Sequence, residues 1–343
     1  MASKQKHISV SDLEYVDTFV GQTWHKLNNK SIFISGGTGI IGKWLLATIK
    51  YEIKKRGLKL KVVVLSRNPK KFWEKFPHLC GNHLKWIKGD ISTFKLSGKY
   101  VYDYAIHGAT DIEKRNKAMN TLLTCINGTK NFFSQITKCK CKRILVLSSG
   151  AVYGKPFFSK KNIRETDFGS INPLDSQSAY AEGKKVSELI AFLHSKTNTP
   201  KVIIARCFAM VGPYLPLDAH FAIGNFIRDA INGDDVIIKS DGSALRSYLY
   251  LSDVASRLWL LLLIGKQKAY NIGSPVPISI GSLARCVIKV LKSSSQEKTK
   301  KIIFKNAHSS SYVPDVTLFE SDYKKYKYLP LQKAILKTAE WYS

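Results

Sequence analysis

Carboxylates are scarce in this chain: 25 Asp and Glu stand against 54 Lys and Arg, a formal charge of +29 over 343 residues. That balance invites an anionic partner, whether nucleic acid, an anionic membrane surface or a small phosphorylated ligand. Arginine, however, is sparse, and the excess is lysine dispersed through KKRGLKLK, NPKKFWEK, KCKCKR, EKTKKIIFK and YKKYKY. Guanidinium forks are the better readers of phosphates and bases. The dispersal therefore points to a solvated lysine surface and away from a nucleic-acid site. Long apolar runs are also missing. The longest, LWLLLLIG at Leu258–Gly265, is too short to span a bilayer and reads as a buried helix. The N-terminus, MASKQKHISVSDLEY, lacks the apolar segment of a signal peptide, so a cytoplasmic protein without a membrane partner is expected. The 6 cysteines are scattered, with no second Cys/His group at zinc spacing beside CKC, so reduced structural thiols and no metal are expected. A hydrophobic fraction of 44 % and a charged fraction of 23 % are those of a soluble globular chain.

What is present is alternation. Apolar runs SIFIS, KVVVLS, KWIKGDI, YDYAIHGAT, RILVLSS and KVIIARCFA are separated by helical patterns, and VIIKSDG and AYNIGS follow later. Strands apolar throughout and joined by helices imply a parallel sheet covered on both faces. The expected fold class is therefore α/β, a doubly wound parallel sheet of the Rossmann type with a smaller, partly interleaved C-terminal substrate domain. Residues 1–30 read as a helical lead-in and 31–205 as the dinucleotide-binding domain, to which 236–272 is expected to return. Residues 206–235 and 273–343 are assigned to substrate binding.

SGGTGIIG lies between the first strand and an amphipathic helix, with Gly36, Gly39 and Gly42 spaced G-x-x-G-x-x-G. Such a loop makes a tight turn, brings backbone close to a pyrophosphate and aims helix N-terminal amides at it. Thr38, Ile40 and Ile41 complete the loop and are candidate cofactor contacts. The end of the second strand selects the dinucleotide: a carboxylate bonds a ribose 2′-hydroxyl, whereas a basic group accepts a 2′-phosphate. Here stand Ser66 and Arg67 and no carboxylate, which favours NADP over NAD; NAD stays open, since Arg67 could instead face solvent. Asp90 and Ile91 are placed to meet the adenine, and His107, Gly108 and Ala109 end the fourth strand where backbone passes the cofactor.

In SAYAEGK, Tyr180 and Lys184 are four apart and share a helix face. A lysine ammonium beside a phenol favours the phenolate and lowers its pKa from about 10 towards working pH. Such a tyrosine can take a proton from an alcohol while hydride leaves for a nicotinamide. ILVLSSGAVYG supplies Ser149, four before Tyr153, at the end of an apolar run.

On SGGTGIIG, GDI, HGAT, SSGAVYG, YAEGK, RCFAMVGP and SDGSALRSYLYLSD, the chain resembles an extended short-chain dehydrogenase/reductase of the NAD-dependent epimerase/dehydratase family, over roughly residues 31–340. The resemblance implies a nucleotide-diphosphate sugar as substrate and a homodimer through paired helices. It makes Ser149 the hydroxyl that holds the reacting oxygen, Tyr180 the acid/base, and Lys184 the group that bonds the nicotinamide ribose and tunes Tyr180. It further implies that Gly150 lies beside substrate and that Arg246 clamps the substrate pyrophosphate. Asn225 falls where relatives place a side chain near the nucleotide phosphates, or else it is an ordinary helix-start residue; Asp253 reads as a helix cap. Two positions depart from the family pattern, with Ala209 and Cys125 standing where asparagine is usual.

In the family's 4,6-dehydratases an Asp-Glu pair follows the catalytic hydroxyl, and its sugar-acid decarboxylases also place a glutamate there. Gly150 and Ala151 occupy those places and cannot move a proton. Dehydration by the usual route is disfavoured. What remains is hydride chemistry at one sugar carbon, most naturally C4, by an epimerase or a 4-ketoreductase. The alternatives are a 4,6-dehydratase working by an unusual route and a nucleic-acid-binding protein of the same fold.

Overall fold

The computed structural model describes residues 6–110, 118–154, 162–196, 200–219, 221–299, 310–323 and 327–343. Two compact units emerge: unit 1 comprises residues 1–154, 170–206 and 255–270, and unit 2 comprises 155–169, 207–254 and 271–343.

Unit 1 is built on strands β1 (Lys30–Ser35), β2 (Leu60–Ser66), β3 (Leu84–Lys88), β4 (Tyr104–His107), β5 (Arg143–Ser149) and β6 (Lys201–Cys207), with β11 (Ala269–Ile272) completing a seven-stranded sheet. Its order is β11-β6-β5-β4-β1-β2-β3, and the pairs β3–β2, β2–β1, β1–β4 and β4–β5 are all parallel. Every strand of this sheet falls on an apolar run singled out in the sequence, because strands covered on both faces are mostly apolar; the edge strand β3 is the least buried, with Lys85 and Lys88 exposed. Ile32, Phe33 and Ile34 of β1 are almost fully buried, and Phe33 stacks on Phe94 with ring centroids 5.6 Å apart. The strand order reverses between β1 and β4, and the crevice outside the carboxyl ends of such strands is where open α/β sheets take ligands.

The flanking helices are α1 (Val10–Val20), α2 (Ile40–Arg56), α3 (Pro69–Lys75), α4 (Ala118–Lys138) and α5 (Ala179–Ser195). The expected lead-in helix is α1, followed by a 3₁₀ segment, Gly21–Leu27. LWLLLLIG forms the end of α7 (Leu251–Ile264), which is buried from Leu251 to Leu263, and its Trp259 indole donates to Thr48 Oγ1 of α2 at 2.7 Å. No described helix is long and apolar enough to cross a membrane.

Unit 2 consists of short pairings and helices. β7 (Met210–Val211) runs parallel to β10 (Leu249–Tyr250), and β8 (Val236–Ile238) runs parallel to β13 (Glu297–Thr299). β9 (Leu245–Arg246) lies between β12 (Ile278–Ser279) and β14 (Ser311–Tyr312). Helices α6 (Ala222–Asn232), α8 (Ile280–Leu291), α9 (Thr317–Tyr323) and α10 (Leu331–Tyr342) complete it. The stretch 236–254, expected to return to the dinucleotide-binding domain, instead belongs to unit 2, since β8 finds its partner at Glu297–Thr299. Only residues 255–270 rejoin unit 1. Asp253 lies in the first turn of α7, beyond the cap position, and its carboxylate accepts from Leu329 N at 3.3 Å.

Candidate active site

The glycine loop connects β1 to α2. Gly36 has φ +79°, and a Cβ there would lie 2.5 Å from the Gly108 carbonyl oxygen, so the ends of β1 and β4 meet too closely for any side chain. A Cβ on Gly42 would lie 2.5 Å from the Gly37 carbonyl carbon, which keeps the first turn of α2 folded against the loop. Gly39 is the N-cap of α2 and offers no side-chain oxygen to the helix amides. Thr38, Ile40 and Ile41 are part-buried beside it. A backbone cradle at an uncapped N-terminus fits the diphosphate of a dinucleotide.

At the end of β2, Ser66 is buried and Arg67 exposed, with no carboxylate before Glu74. Asp90 is exposed and caps its own turn, Oδ1 accepting from Ser92 N at 2.8 Å. Two expected cofactor contacts turn inwards. Ile91 is 6 % exposed and packs in the apolar cluster with Phe33 and Phe94. The His107 ring is buried between Ser35 Oγ (3.0 Å from Nδ1) and Thr129 Oγ1 (2.9 Å from Nε2), stacked on Phe132. Burial pushes its pKa down to about 3, with the Lys184 charge contributing. Only the backbone beyond it, Gly108 and Ala109, abuts the glycine loop.

Ser149, Tyr180 and Lys184 all belong to unit 1. β5 ends at Ser149, which caps the 3₁₀ turn Gly150–Tyr153: its Oγ accepts from Ala151 N at 3.2 Å, leaving the hydroxyl proton to donate. Helix α5 packs against β5 and this turn. Tyr180 and Lys184 occupy successive turns of α5, with Nζ 6.0 Å from the phenol ring centroid. Lys184 is 7 % exposed and donates to Leu147 O and Thr110 Oγ1, both at 2.8 Å. These two anchors fix the ammonium two residues upstream of Ser149. Thr110 was not singled out from the sequence; its signal was its place at the end of HGAT, immediately after the backbone that abuts the glycine loop. Cys125 is buried beside Thr110 and Lys184, and burial pushes its thiol up.

Unit 2 holds Arg246 and Asn225. Arg246 is part-buried in β9, where Nη1 donates to Leu245 O at 2.7 Å and to Ser310 O at 3.2 Å. No carboxylate pairs with it among the described residues, and burial pulls its pKa down. Such a cation attracts an anion. Asn225 lies near the start of α6, where its amide nitrogen donates to Leu217 O (2.8 Å) and Ala219 O (2.7 Å), stapling that loop to α6. Both hydrogens serve carbonyls, and the remaining oxygen is an acceptor that would repel phosphate.

Comparison with known proteins decides the family, because the model of the NAD dependent epimerase/dehydratase family matches residues 32–273. The chain belongs to that family. Among relatives of this epimerase/dehydratase, UDP-glucuronic acid decarboxylase 5 of Arabidopsis thaliana is 28 % identical over 278 residues, covering 79 % of this chain and 77 % of that protein. UDP-glucuronic acid decarboxylase 1 of Xenopus tropicalis is 27 % identical over 78 % of this chain and 62 % of that protein. Solved structures share the fold. UDP-glucose 4-epimerase of Thermotoga maritima, with UDP-glucose, superposes with a TM-score of 0.75 at 17 % identity, covering 91 % of this chain and 98 % of that one. UDP-N-acetylglucosamine 4-epimerase of Methanobrevibacter ruminantium, in complex with UDP-N-acetylmuramic acid, gives 0.77 at 20 % identity over 92 % and 98 %.

Proposed function

We propose that this epimerase/dehydratase acts on a nucleotide-diphosphate sugar by hydride transfer at C4, as an epimerase or a 4-ketoreductase. The observation that carries the proposal is the composition of the turn after Ser149. It packs against the helix bearing Tyr180 and Lys184, yet Gly150 and Ala151 place no carboxylate there. A proton can be moved on the reacting oxygen, but the second proton that dehydration requires has no carrier in that turn.

Ser149 Oγ donates to the sugar oxygen and holds it. Tyr180 accepts the hydroxyl proton, and in reduction returns one to the same oxygen. Lys184, held by Leu147 O and Thr110 Oγ1, keeps a positive charge beside the phenol and stabilises the phenolate. A dinucleotide on the Gly36–Gly42 loop, close to Gly108 and Ala109, would supply hydride acceptance and donation. Arg67, which follows Ser66 at the end of β2 where the sequence has no carboxylate before Glu74, supports NADP over NAD. Arg246 supports recognition of the substrate pyrophosphate, since a part-buried guanidinium that pairs with no carboxylate among the described residues suits an anion. A homodimer is part of the proposal: Met119 and Leu123 of α4 and Leu189, Phe192 and Leu193 of α5 are exposed on two helices that pack together.

The names of the curated relatives favour a second reading, loss of carbon dioxide from UDP-glucuronic acid. One experiment separates the two: incubation with UDP-, dTDP-, GDP- and CDP-hexoses, their 4-keto forms and UDP-glucuronic acid, with and without NADPH. The proposal expects either NADPH consumption with a 4-keto sugar or an isomerised hexose without net redox. Carbon dioxide and a UDP-pentose would establish decarboxylation instead. A 4-keto-6-deoxy product from a plain hexose would overturn the exclusion of dehydration.

A further inference from the structure

A second set of side chains lies behind the chemical residues, and neither proton movement nor cofactor binding employs it. Glu188 continues the line of Tyr180 and Lys184 along α5, one further turn on. Its carboxylate accepts from Arg206 Nε (3.0 Å to Oε1) and Nη2 (2.7 Å to Oε2), and from Ser148 Oγ at 2.5 Å. Arg206, in β6, donates through Nη1 to the Tyr153 hydroxyl at 2.9 Å, with its guanidinium 4.9 Å from that ring's centroid. The ion pair is largely shielded, with side-chain exposures of 15 % and 12 %.

From this geometry we infer that Arg206 and Glu188, together with Ser148 and Tyr153, are positioning residues that fix Ser149 relative to Tyr180 and Lys184. The inference rests on the reading of Tyr180 as acid/base. Ser148 and Ser149 are consecutive on β5, so their side chains leave opposite faces of the strand. Ser148 is therefore the rear anchor of the residue whose hydroxyl faces substrate. Tyr153 ends the turn that Ser149 begins, and the guanidinium grips it. Strand end, turn and helix are thus tied at one point, and each tie is a directional hydrogen bond to a charge. A buried ion pair gains little net stability over a well-packed apolar pair, because desolvation offsets the Coulomb attraction. What it does provide is register between α5 and β5. Misplacement of reacting groups by about 1 Å costs on the order of 100-fold in rate.

The test uses the ultraviolet signature of the Tyr180 phenolate, obtained by subtracting the titration of Tyr180→Phe from that of the intact protein with NADP+ present. Glu188→Gln keeps the shape of the side chain and removes the charge that orients Arg206. Tyr180 is expected to ionise below the ordinary tyrosine value of about 10 in the intact protein, and its phenolate fraction at pH 8 to fall about tenfold in Glu188→Gln. Far-ultraviolet circular dichroism checks that the variant is folded. Should Glu188→Gln fail to fold, Tyr153→Phe decides, because it removes one tie and leaves the ion pair; the same direction of change is expected. An unchanged Tyr180 titration in the folded variant overturns the positioning role and leaves the acid/base reading intact. A Tyr180 that titrates near 10 in the intact protein overturns the acid/base reading and the inference together.

Discussion

His107 is buried against Ser35 at the start of the glycine loop, and its isolation from water has a measurable consequence. Thr129 Oγ1 lies 2.9 Å from His107 Nε2 and is itself held at the Cys125 carbonyl (2.6 Å) and Ser187 Oγ (2.9 Å). Nδ1 lies 3.0 Å from Ser35 Oγ, so both ring nitrogens meet hydroxyl groups and neither meets water. Burial strips the ring of the water that would stabilise its charged form, and the Lys184 charge adds to this, which is why the pKa drops from the ordinary 6.5 to about 3. In the unfolded chain His107 takes up a proton near 6.5, whereas in the folded chain it stays neutral down to about 3. Between those values the unfolded state binds more protons, so stability is complete above 6.5 and is lost as pH falls. At pH 5 the loss from this one group is about 2 kcal/mol, from about 1.5 pH units at about 1.4 kcal/mol each. The assay is urea unfolding of the intact protein and of His107→Gln at pH 7 and pH 5. The intact protein is expected to lose about 2 kcal/mol more than the variant over that interval, since other titrating groups cancel in the difference. In carbon-13 spectra of histidine-labelled protein, the resonance missing from the variant is expected to remain at its neutral position at pH 5. Equal pH dependence in the two proteins, or a His107 resonance titrating near 6.5, would refute the neutral buried bridge.

Three further expectations follow from the same geometry. Gly36→Ala drives a methyl group into the Gly108 carbonyl at a positive φ, so dinucleotide binding by fluorescence titration should weaken at least tenfold, a loss of about 1.4 kcal/mol or more; unchanged binding would remove Gly36 from the cofactor loop. Arg67→Glu should weaken NADPH more than NADH, reversing their order in the same titration, and equal effects on both would remove Arg67 from cofactor selection. Leu193→Lys should convert the proposed dimer to a monomer in sedimentation velocity, and a native chain that sediments as a monomer would refute the α4–α5 interface.

Much of unit 1 was legible because its strands are apolar on both faces and its loops carry glycine where backbone meets backbone. The runs SIFIS and RILVLSS became β1 and β5 with almost no change of boundary. The site was legible where chemistry depends on local spacing, as with Tyr180 and Lys184 on one helix face. It was opaque where a side chain chooses partners distant in sequence. His107 ends a strand facing the cofactor crevice, but its ring follows Ser35 and Thr129, which are 72 and 22 residues away. Asn225 reads like a phosphate contact until the carbonyls of Leu217 and Ala219 take its hydrogens. The pairing of β8 with β13 depends on a segment some sixty residues downstream, and no local pattern marks it.

The central claim is that Tyr180 moves the proton while the glycine loop holds the dinucleotide independently of it. Once the sugar panel has identified the substrate, Tyr180→Phe tests this claim in a single preparation. NADPH affinity is measured by fluorescence and turnover by product formation. The account predicts that affinity stays within about twofold of the intact protein while turnover falls by at least about 100-fold, the usual contribution of general acid–base catalysis. Turnover that survives the substitution, in a variant that still binds NADPH, would contradict it.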